Sequence, residues 1–77
     1  MKRILVTGAN GLLGQKLVHL YRNQPKVQLL ATAIGPCRIS TQQGYSYSQM
    51  DITQQAEVNT VCDDFKPQTI INIAAMT

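Results

Sequence analysis

The stretch TGANGLLG at residues 7–14 constrains the fold more than any other feature of the chain. It follows a short apolar run at residues 3–7 and precedes a segment whose apolar residues recur with helical spacing. In that position Gly8 permits a tight turn, Gly11 leaves room for a pyrophosphate, and Gly14 lets the helix pack closely on the sheet. The N–H groups that begin the helix would face the phosphates. The motif therefore predicts a dinucleotide site, the alternative being a glycine turn that only joins strand to helix.

Three apolar or β-branched runs predict buried β-strands, at residues 3–7, 27–34 and 69–75, and a period-two alternation predicts a half-exposed strand at residues 45–50. Residues 35–44 are predicted to form a loop. Buried strands that alternate with helices indicate a parallel, doubly wound α/β sheet. Right-handed crossovers then give the strand order 3-2-1-4 with a helix on each face. We therefore expect residues 1–77 to form a partial Rossmann-type three-layer fold.

Two segments have the apolar spacing of amphipathic helices. Each would bury four side chains: Leu13, Leu17, Leu20 and Tyr21 in the first helix, and Val58, Val61, Cys62 and Phe65 in the second. Pro25 and Pro67 end these segments, because proline disfavours helical backbone in the residue before it. Asp51 and Thr53 are both suitable N-cap residues for the second helix.

Charge and composition narrow the class of protein. The net charge is +3, and residues 1–50 contain no acidic residue, so an anionic ligand would suit this half of the chain. Nucleic acid is not expected as a partner, because the basic residues form no cluster and only 5% of residues are aromatic. The apolar runs are too short for a membrane span or a signal peptide, which predicts a cytoplasmic chain. Cys37 and Cys62 lack the spacing of a metal site or a disulfide framework.

The second predicted strand indicates which dinucleotide is bound. An acidic residue about 20 positions after the glycine motif would bind the ribose 2′-hydroxyl of NAD. Residues 31–38 contain no acid and end at Arg38, which would accommodate the 2′-phosphate of NADP. NADP is therefore slightly favoured over NAD, the alternative for Arg38 being a solvated loop arginine. Asp51 follows the third strand, where it would contact adenine, cap the second helix or do both.

Three stretches together resemble the extended short-chain dehydrogenase/reductase family. They are TGANGLLG at residues 7–14, DIT at residues 51–53, and KPQTIINIAAMT at residues 66–77. Within that family the chain most resembles the dTDP-4-dehydrorhamnose reductases. Such enzymes reduce the 4-keto group of a dTDP-linked deoxysugar with NAD(P)H.

The resemblance implies where a dinucleotide would lie. Gly11, Leu12 and Leu13 would lie against the pyrophosphate, and Asp51 and Ile52 would flank the adenine. Ala75, Met76 and Thr77 would line the cofactor near its ribose. The complete predicted cofactor site adds Gly8, Asn10, Gly14, Arg38 and Ala74. The family more often has an aromatic residue or a histidine at the position of Met76.

The family's catalytic Tyr-x-x-x-Lys pair does not occur in these residues, since no tyrosine has a lysine four positions later. We therefore expect residues 1–77 to be the N-terminal portion of a dinucleotide-binding domain, inactive without its catalytic and substrate-binding portions. A nucleotide-sugar epimerase or dehydratase of the same family is an alternative, as is a non-catalytic NADP-binding regulatory subunit. The apolar fourth strand would have an unpaired edge, which predicts a homodimer or aggregation through residues 69–75.

Overall fold

The computed structural model describes residues 2–39 and 43–73. The elements in these residues are β1 (Lys2–Thr7), α1 (Leu12–Tyr21), β2 (Val27–Ala33), β3 (Ser46–Gln49), α2 (Gln55–Phe65) and β4 (Thr69–Asn72). The strands form one parallel sheet in the order β3-β2-β1-β4. In its register, Leu5 of β1 pairs with Leu30 of β2 on one side and with Ile70 of β4 on the other. The predicted fold class and strand order are confirmed.

The two faces of the sheet bury different residues of the same strands. Successive strand side chains point to opposite faces, so Ile4 and Val6 pack on one side with Val18 of α1, whereas Leu5 points to the other. There Leu5, Leu30 and Met50 contact α2 through the side chains of Val58, Val61 and Phe65. Unbroken apolar runs in β1 and β2 are thus explained, because a helix covers each face of the sheet.

The buried face of α1 differs from the prediction. Gly14 and Val18 are buried, whereas Leu13 and Leu20 are 53% and 61% exposed. The helical spacing of apolar residues placed both leucines on the buried face, and that prediction is wrong. The rotation of the helix is set instead by Gly14, whose backbone lies directly against Ala9 in the glycine turn.

The start of α2 also differs from the prediction. The helix begins at Gln55, and Gln54 occupies the N-cap position with no side-chain cap hydrogen bond among the described residues. Asp51 Oδ1 instead accepts hydrogen bonds from the backbone N–H of Thr53 at 2.9 Å and from its hydroxyl at 2.7 Å. Such a local turn competes with helix formation, so neither predicted N-cap residue caps the helix.

The remaining boundaries agree with the predictions to within a few residues. α1 and α2 end before Pro25 and Pro67, and Lys66 adopts a left-handed conformation with φ of 54° at the end of α2. β4 ends at Asn72, so Ile73 lies outside the strand, and residues 74–75 of the predicted strand fall outside the described residues.

Candidate functional site

A cleft of about 200 Å³ lies beside the glycine turn, where β2 and β3 end. It is lined by Gly8, Asn10 and Gly11 from the turn and by Ala33, Ile34, Met50 and Ile52 from the strand ends. In open α/β sheets, ligands bind outside the carboxyl ends of the strands, near the point where the strand order reverses. That point is at β1, which leads into the turn, so this cleft is the candidate site. A larger groove of about 550 Å³ runs along α1 instead.

Two glycines of the motif are required by the fold itself. Gly8 has a φ of +68°, in the left-handed region that favours glycine. The turn that it allows is tied to β2, because the N–H of Ala9 donates to the carbonyl of Thr32 at 3.0 Å. A Cβ on Gly14 would lie only 2.6 Å from Ala9 Cα, so no other residue fits there without displacing the turn.

Gly11 is different, because nothing in the described chain requires a glycine there. Its φ of −73° and ψ of 168° are extended backbone that any residue adopts. A Cβ on Gly11 would meet only the Gly8 carbonyl oxygen, at an ordinary contact distance of 3.5 Å. Gly11 is exposed and lines the cleft, so the absence of a side chain leaves this part of the cleft open.

The start of α1 presents a positive electrostatic end to the same region. Within the described residues, no side-chain hydrogen bond caps this helix, and its first turn contains no acidic residue. The first N–H groups of a helix have no partner within the helix, and the helix dipole favours an anion beside them. Leu12 and Leu13, the first two residues of α1, are themselves 83% and 53% exposed.

The opposite end of the cleft is apolar. Ile34 and Ile52 are 72% and 37% exposed, and Met50, which also lines the cleft, is buried. Ala33, Ile34 and Met50 were missed as site residues in the sequence. Their position at the carboxyl ends of two predicted parallel strands was the signal that would have found them.

Asp51 lies between two of these lining residues and is half-buried. Hydrogen bonds from the Thr53 hydroxyl and then from the Thr53 backbone N–H lower the pKa of its carboxyl. The backbone N–H of Asp51 donates to Glu57 Oε1 at 3.2 Å, which links the loop to α2. The carboxylate is therefore ionised at neutral pH and is fixed beside the apolar end of the cleft.

Asn10 and Arg38, predicted separately as cofactor residues, are joined in the structure. Asn10 Oδ1 accepts from the backbone N–H of Arg38 at 2.8 Å. Asn10 Nδ2 donates to the carbonyl of Pro36 at 3.0 Å and to the hydroxyl of Tyr47 at 3.3 Å. The turn after β1 is thereby connected to the segment after β2, and the exposed Arg38 lies at the end of that connection.

A polar pair joins the ends of β1 and β4. The buried Thr7 donates its hydroxyl to Asn72 Oδ1 at 2.6 Å, and the N–H of Ile73 donates to the Thr7 hydroxyl at 3.1 Å. Thr7 is the last residue of the first predicted strand, whereas Asn72 is the one amide side chain within the apolar run at residues 69–75. The predicted cofactor residues Ala74, Ala75, Met76 and Thr77 lie outside the residues that the structure describes.

Residues 1–77 match the sequence profile of the RmlD substrate binding domain. The chain belongs to this family. The RmlD-family chain is 36% identical, over 77 residues, to the dTDP-4-dehydrorhamnose reductase of Aggregatibacter actinomycetemcomitans; the match covers 100% of this chain and 22% of that protein. It is 38% identical, also over 77 residues, to the dTDP-4-keto-6-deoxy-D-glucose reductase of Streptomyces niveus, with coverages of 97% and 21%. The chain thus spans about a fifth of the length of these curated relatives.

A solved structure also resembles the RmlD-family chain. The dTDP-glucose 4,6-dehydratase of Bacillus anthracis, in complex with NAD, superimposes with a TM-score of 0.77 at 20% sequence identity. The match covers 94% of this chain and 23% of that chain. The likeness supports the fold, and the family match confirms the resemblance found in the sequence. Neither helix in the described residues has the length and apolar character needed to cross a bilayer.

Proposed function

We propose that this RmlD-family chain is the cofactor-binding N-terminal part of a nucleotide-sugar reductase that uses NAD(P)H to reduce a keto group of a dTDP-linked deoxysugar. The names of the two reductase relatives support this substrate class. Because the chain spans about a fifth of their length, the reductase activity is proposed for the larger protein. Residues 1–77 would supply the dinucleotide site of the domain.

Gly11 is the observation that carries the proposal. The backbone of Gly8 and the packing of Gly14 account for those two glycines within the fold. Gly11 has neither constraint, yet it lies on the cleft at the N-terminus of α1. A position that tolerates a Cβ sterically but has none fits a close approach of a pyrophosphate to the backbone.

The two ends of the cleft suit the two kinds of group in a dinucleotide. Helical N–H groups and the dipole of α1 would bind the phosphates at the glycine turn. The exposed side chains of Ile34 and Ile52 would lie against the adenine ring, which is flat and largely apolar on its faces. Asp51, beside Ile52, would accept a hydrogen bond from an adenine or ribose donor.

NADP is proposed as the preferred dinucleotide because of the residues that follow β2. No acidic residue occurs between Ala33, where β2 ends, and Arg38. A carboxylate there would bind the 2′-hydroxyl of NAD, whereas a guanidinium pairs with a phosphate through two parallel hydrogen bonds. Ala74, Ala75, Met76 and Thr77 are proposed to line the cofactor near its ribose.

Self-association through β4 is a further part of the proposal, beside the cytoplasmic location expected from the sequence. β4 lies at one edge of the sheet in the described residues, and Ile70 in this strand is 52% exposed. An exposed apolar edge strand pairs readily with another chain. We propose that isolated residues 1–77 pair or aggregate through β4.

The decisive experiment places a side chain at position 11. Gly11→Val should abolish the binding of NADPH in calorimetry without lowering the melting temperature, because the isopropyl group would fill the approach of the pyrophosphate. Thr60→Val is the matched control, since it introduces valine at an exposed position of α2. Equal affinities of Gly11→Val and the unaltered protein would show that the turn has only a structural role.

Activity requires the full-length protein and a second assay. With dTDP-4-dehydrorhamnose as substrate, oxidation of NADPH should accompany formation of the reduced sugar nucleotide. Full-length protein that binds NADPH and leaves this substrate unchanged would contradict the reductase assignment and leave the cofactor site standing. Residues 1–77 alone should bind the dinucleotide without turnover.

A further inference from the structure

Asn10 uses its whole side-chain amide within the protein. Its acceptor takes the N–H of Arg38, and its two donor hydrogens serve the Pro36 carbonyl and the Tyr47 hydroxyl. An asparagine amide offers two donors and one acceptor oxygen, so its donors are fully used by these contacts. The backbone carbonyl of Asn10 also accepts a hydrogen bond from Gln15 Nε2 at 2.7 Å, which attaches it to α1.

Tyr47 extends this network along the segment that follows β2. Its hydroxyl accepts from Asn10 and donates to the carbonyl of Gly35 at 2.8 Å. Burial raises the pKa of the Tyr47 phenol, partly offset by the hydrogen bond from Asn10, so the proton needed for this donation is retained. Between Gly35 and Arg38, two backbone carbonyls and one backbone N–H are thus hydrogen-bonded to side chains from elsewhere in the chain. These side chains are Tyr47 of β3 and Asn10 of the glycine turn.

The network acts on the residue that would select the dinucleotide. Asn10 and Arg38 are 28 positions apart in the chain, yet the backbone of Arg38 is bonded directly to the turn that contains Gly11. The positive charge of Arg38 also opposes the rise in the pKa of Tyr47, so the guanidinium lies within electrostatic reach of the same cluster. When an exposed arginine binds a phosphate, both its side chain and the loop that carries it lose conformational entropy. A backbone that is already fixed reduces the loop's share of this cost.

We propose that Asn10 is a positioning residue for dinucleotide selection: it holds residues 35–38 against the glycine turn so that Arg38 stands beside the ribose end of the cleft. This inference rests on the proposed dinucleotide site. It assigns Asn10 a role through Arg38, in place of the direct cofactor contact expected from the sequence. The ligand group that it serves is a phosphate on the 2′-position of the adenosine ribose.

The test compares the dissociation constants of NADP and NAD in the full-length protein by calorimetry. Asn10→Ala should weaken the binding of NADP about tenfold, which corresponds to about 1.4 kcal/mol of binding free energy. It should weaken the binding of NAD less than about twofold. In the Arg38→Ala background the same change should have no further effect on the ratio of the two constants, because both residues act through one contact. Asn59→Ala, at an exposed asparagine of α2, is the matched control and should leave both constants unchanged.

Hydrogen exchange gives an independent readout of the network. The amide of Arg38 should exchange faster in Asn10→Ala, because its acceptor is removed. Tyr47→Phe keeps the ring and removes the hydroxyl, so it should shift the ratio of the NADP and NAD dissociation constants in the same direction. It replaces Asn10→Ala as the test if that variant does not fold.

The outcomes separate this inference from the proposed function. If Asn10→Ala weakened the binding of NADP and NAD equally, the positioning role would be overturned. The same holds if the losses of NADP affinity in Asn10→Ala and Arg38→Ala were additive in the double variant. An unaltered protein that binds NAD and not NADP would also overturn it, yet would leave the dinucleotide site standing. A protein that binds neither dinucleotide would refute the proposed function, and with it the inference.

Discussion

Replacement of Gly14 by alanine is the most direct test of how the glycine turn and α1 fit together. The new Cβ would lie 2.6 Å from Ala9 Cα and 2.9 Å from the Ala9 carbonyl carbon, and closer still to the Gly8 carbonyl oxygen. All three neighbours are backbone atoms, so relief requires the turn or the helix to move. Overpacking of this kind costs about 1–3 kcal/mol, and backbone neighbours indicate the upper end, about 3 kcal/mol.

Alanine offsets part of that cost, because it favours a helix over glycine by about 1 kcal/mol. The expected net loss of unfolding free energy is therefore about 2 kcal/mol. For a domain of this size, each kcal/mol lowers the melting temperature by about 4–8 °C, so Gly14→Ala should melt about 8–16 °C lower. Far-ultraviolet circular dichroism during heating measures this shift.

Gly11→Ala is the matched control for the same chemical change. Its Cβ would have an ordinary contact at 3.5 Å, and the backbone at this position suits alanine. Alanine is a less favourable N-cap residue than glycine, which destabilises the protein, but it also lowers the entropy of the unfolded chain, which stabilises it. The two effects nearly cancel, so the unfolding free energy should change by no more than about 0.5 kcal/mol. If Gly14→Ala melts within a few degrees of Gly11→Ala, the contact with Ala9 does not set the position of α1 and the reasoning fails.

Three further predictions concern alkaline stability, a loop carboxylate and self-association. Burial, then a hydrogen bond with Cys37, raises the pKa of Tyr45, so its contribution to stability is present below the ordinary tyrosine pKa and is lost as pH rises beyond it. The melting temperature should fall in alkali, and less steeply in Tyr45→Phe; identical pH profiles would contradict this. Thr53→Val should raise the pKa of Asp51 towards its ordinary value in a carbon-13 NMR titration, since one of two hydrogen bonds is lost. An unchanged pKa would mean that the hydroxyl does not stabilise the carboxylate. Ile70→Lys should reduce the association of residues 1–77 in sedimentation experiments without lowering the melting temperature, because the side chain is exposed. If the variant associated at the same concentrations as the unaltered chain, this face of β4 would be excluded as the site of self-association.

The sheet could be predicted from the sequence because each of its determinants is local. An apolar run that ends at Gly8 has few alternatives to a strand and a tight turn, and a parallel order follows from the alternation with helices. The role of Gly14 was equally predictable, since close packing of helix on turn excludes a side chain wherever this motif begins a helix.

The errors arose where two local preferences compete or where contacts are distant. Asp51 and Thr53 bond to each other before either can cap α2, and only the folded loop shows which bond forms. The face of α1 depends on one backbone contact at Gly14, which outweighs the hydropathy of Leu13 and Leu20. The link from Asn10 to Arg38 spans 28 positions, so no local pattern could predict it.

The central place of β1 has a consequence for synthesis on the ribosome. Ile4 of β1 pairs with Thr69 of β4, so one edge of the first strand acquires its partner about 65 residues later. At about 5–20 residues per second, that interval is about 3–13 s. During it the nascent chain has an open strand edge and an apolar face that α2 has yet to cover. A chaperone that binds apolar strands near the tunnel exit would be expected to associate with this chain during those seconds, and to release this edge of β1 once β4 has paired with it.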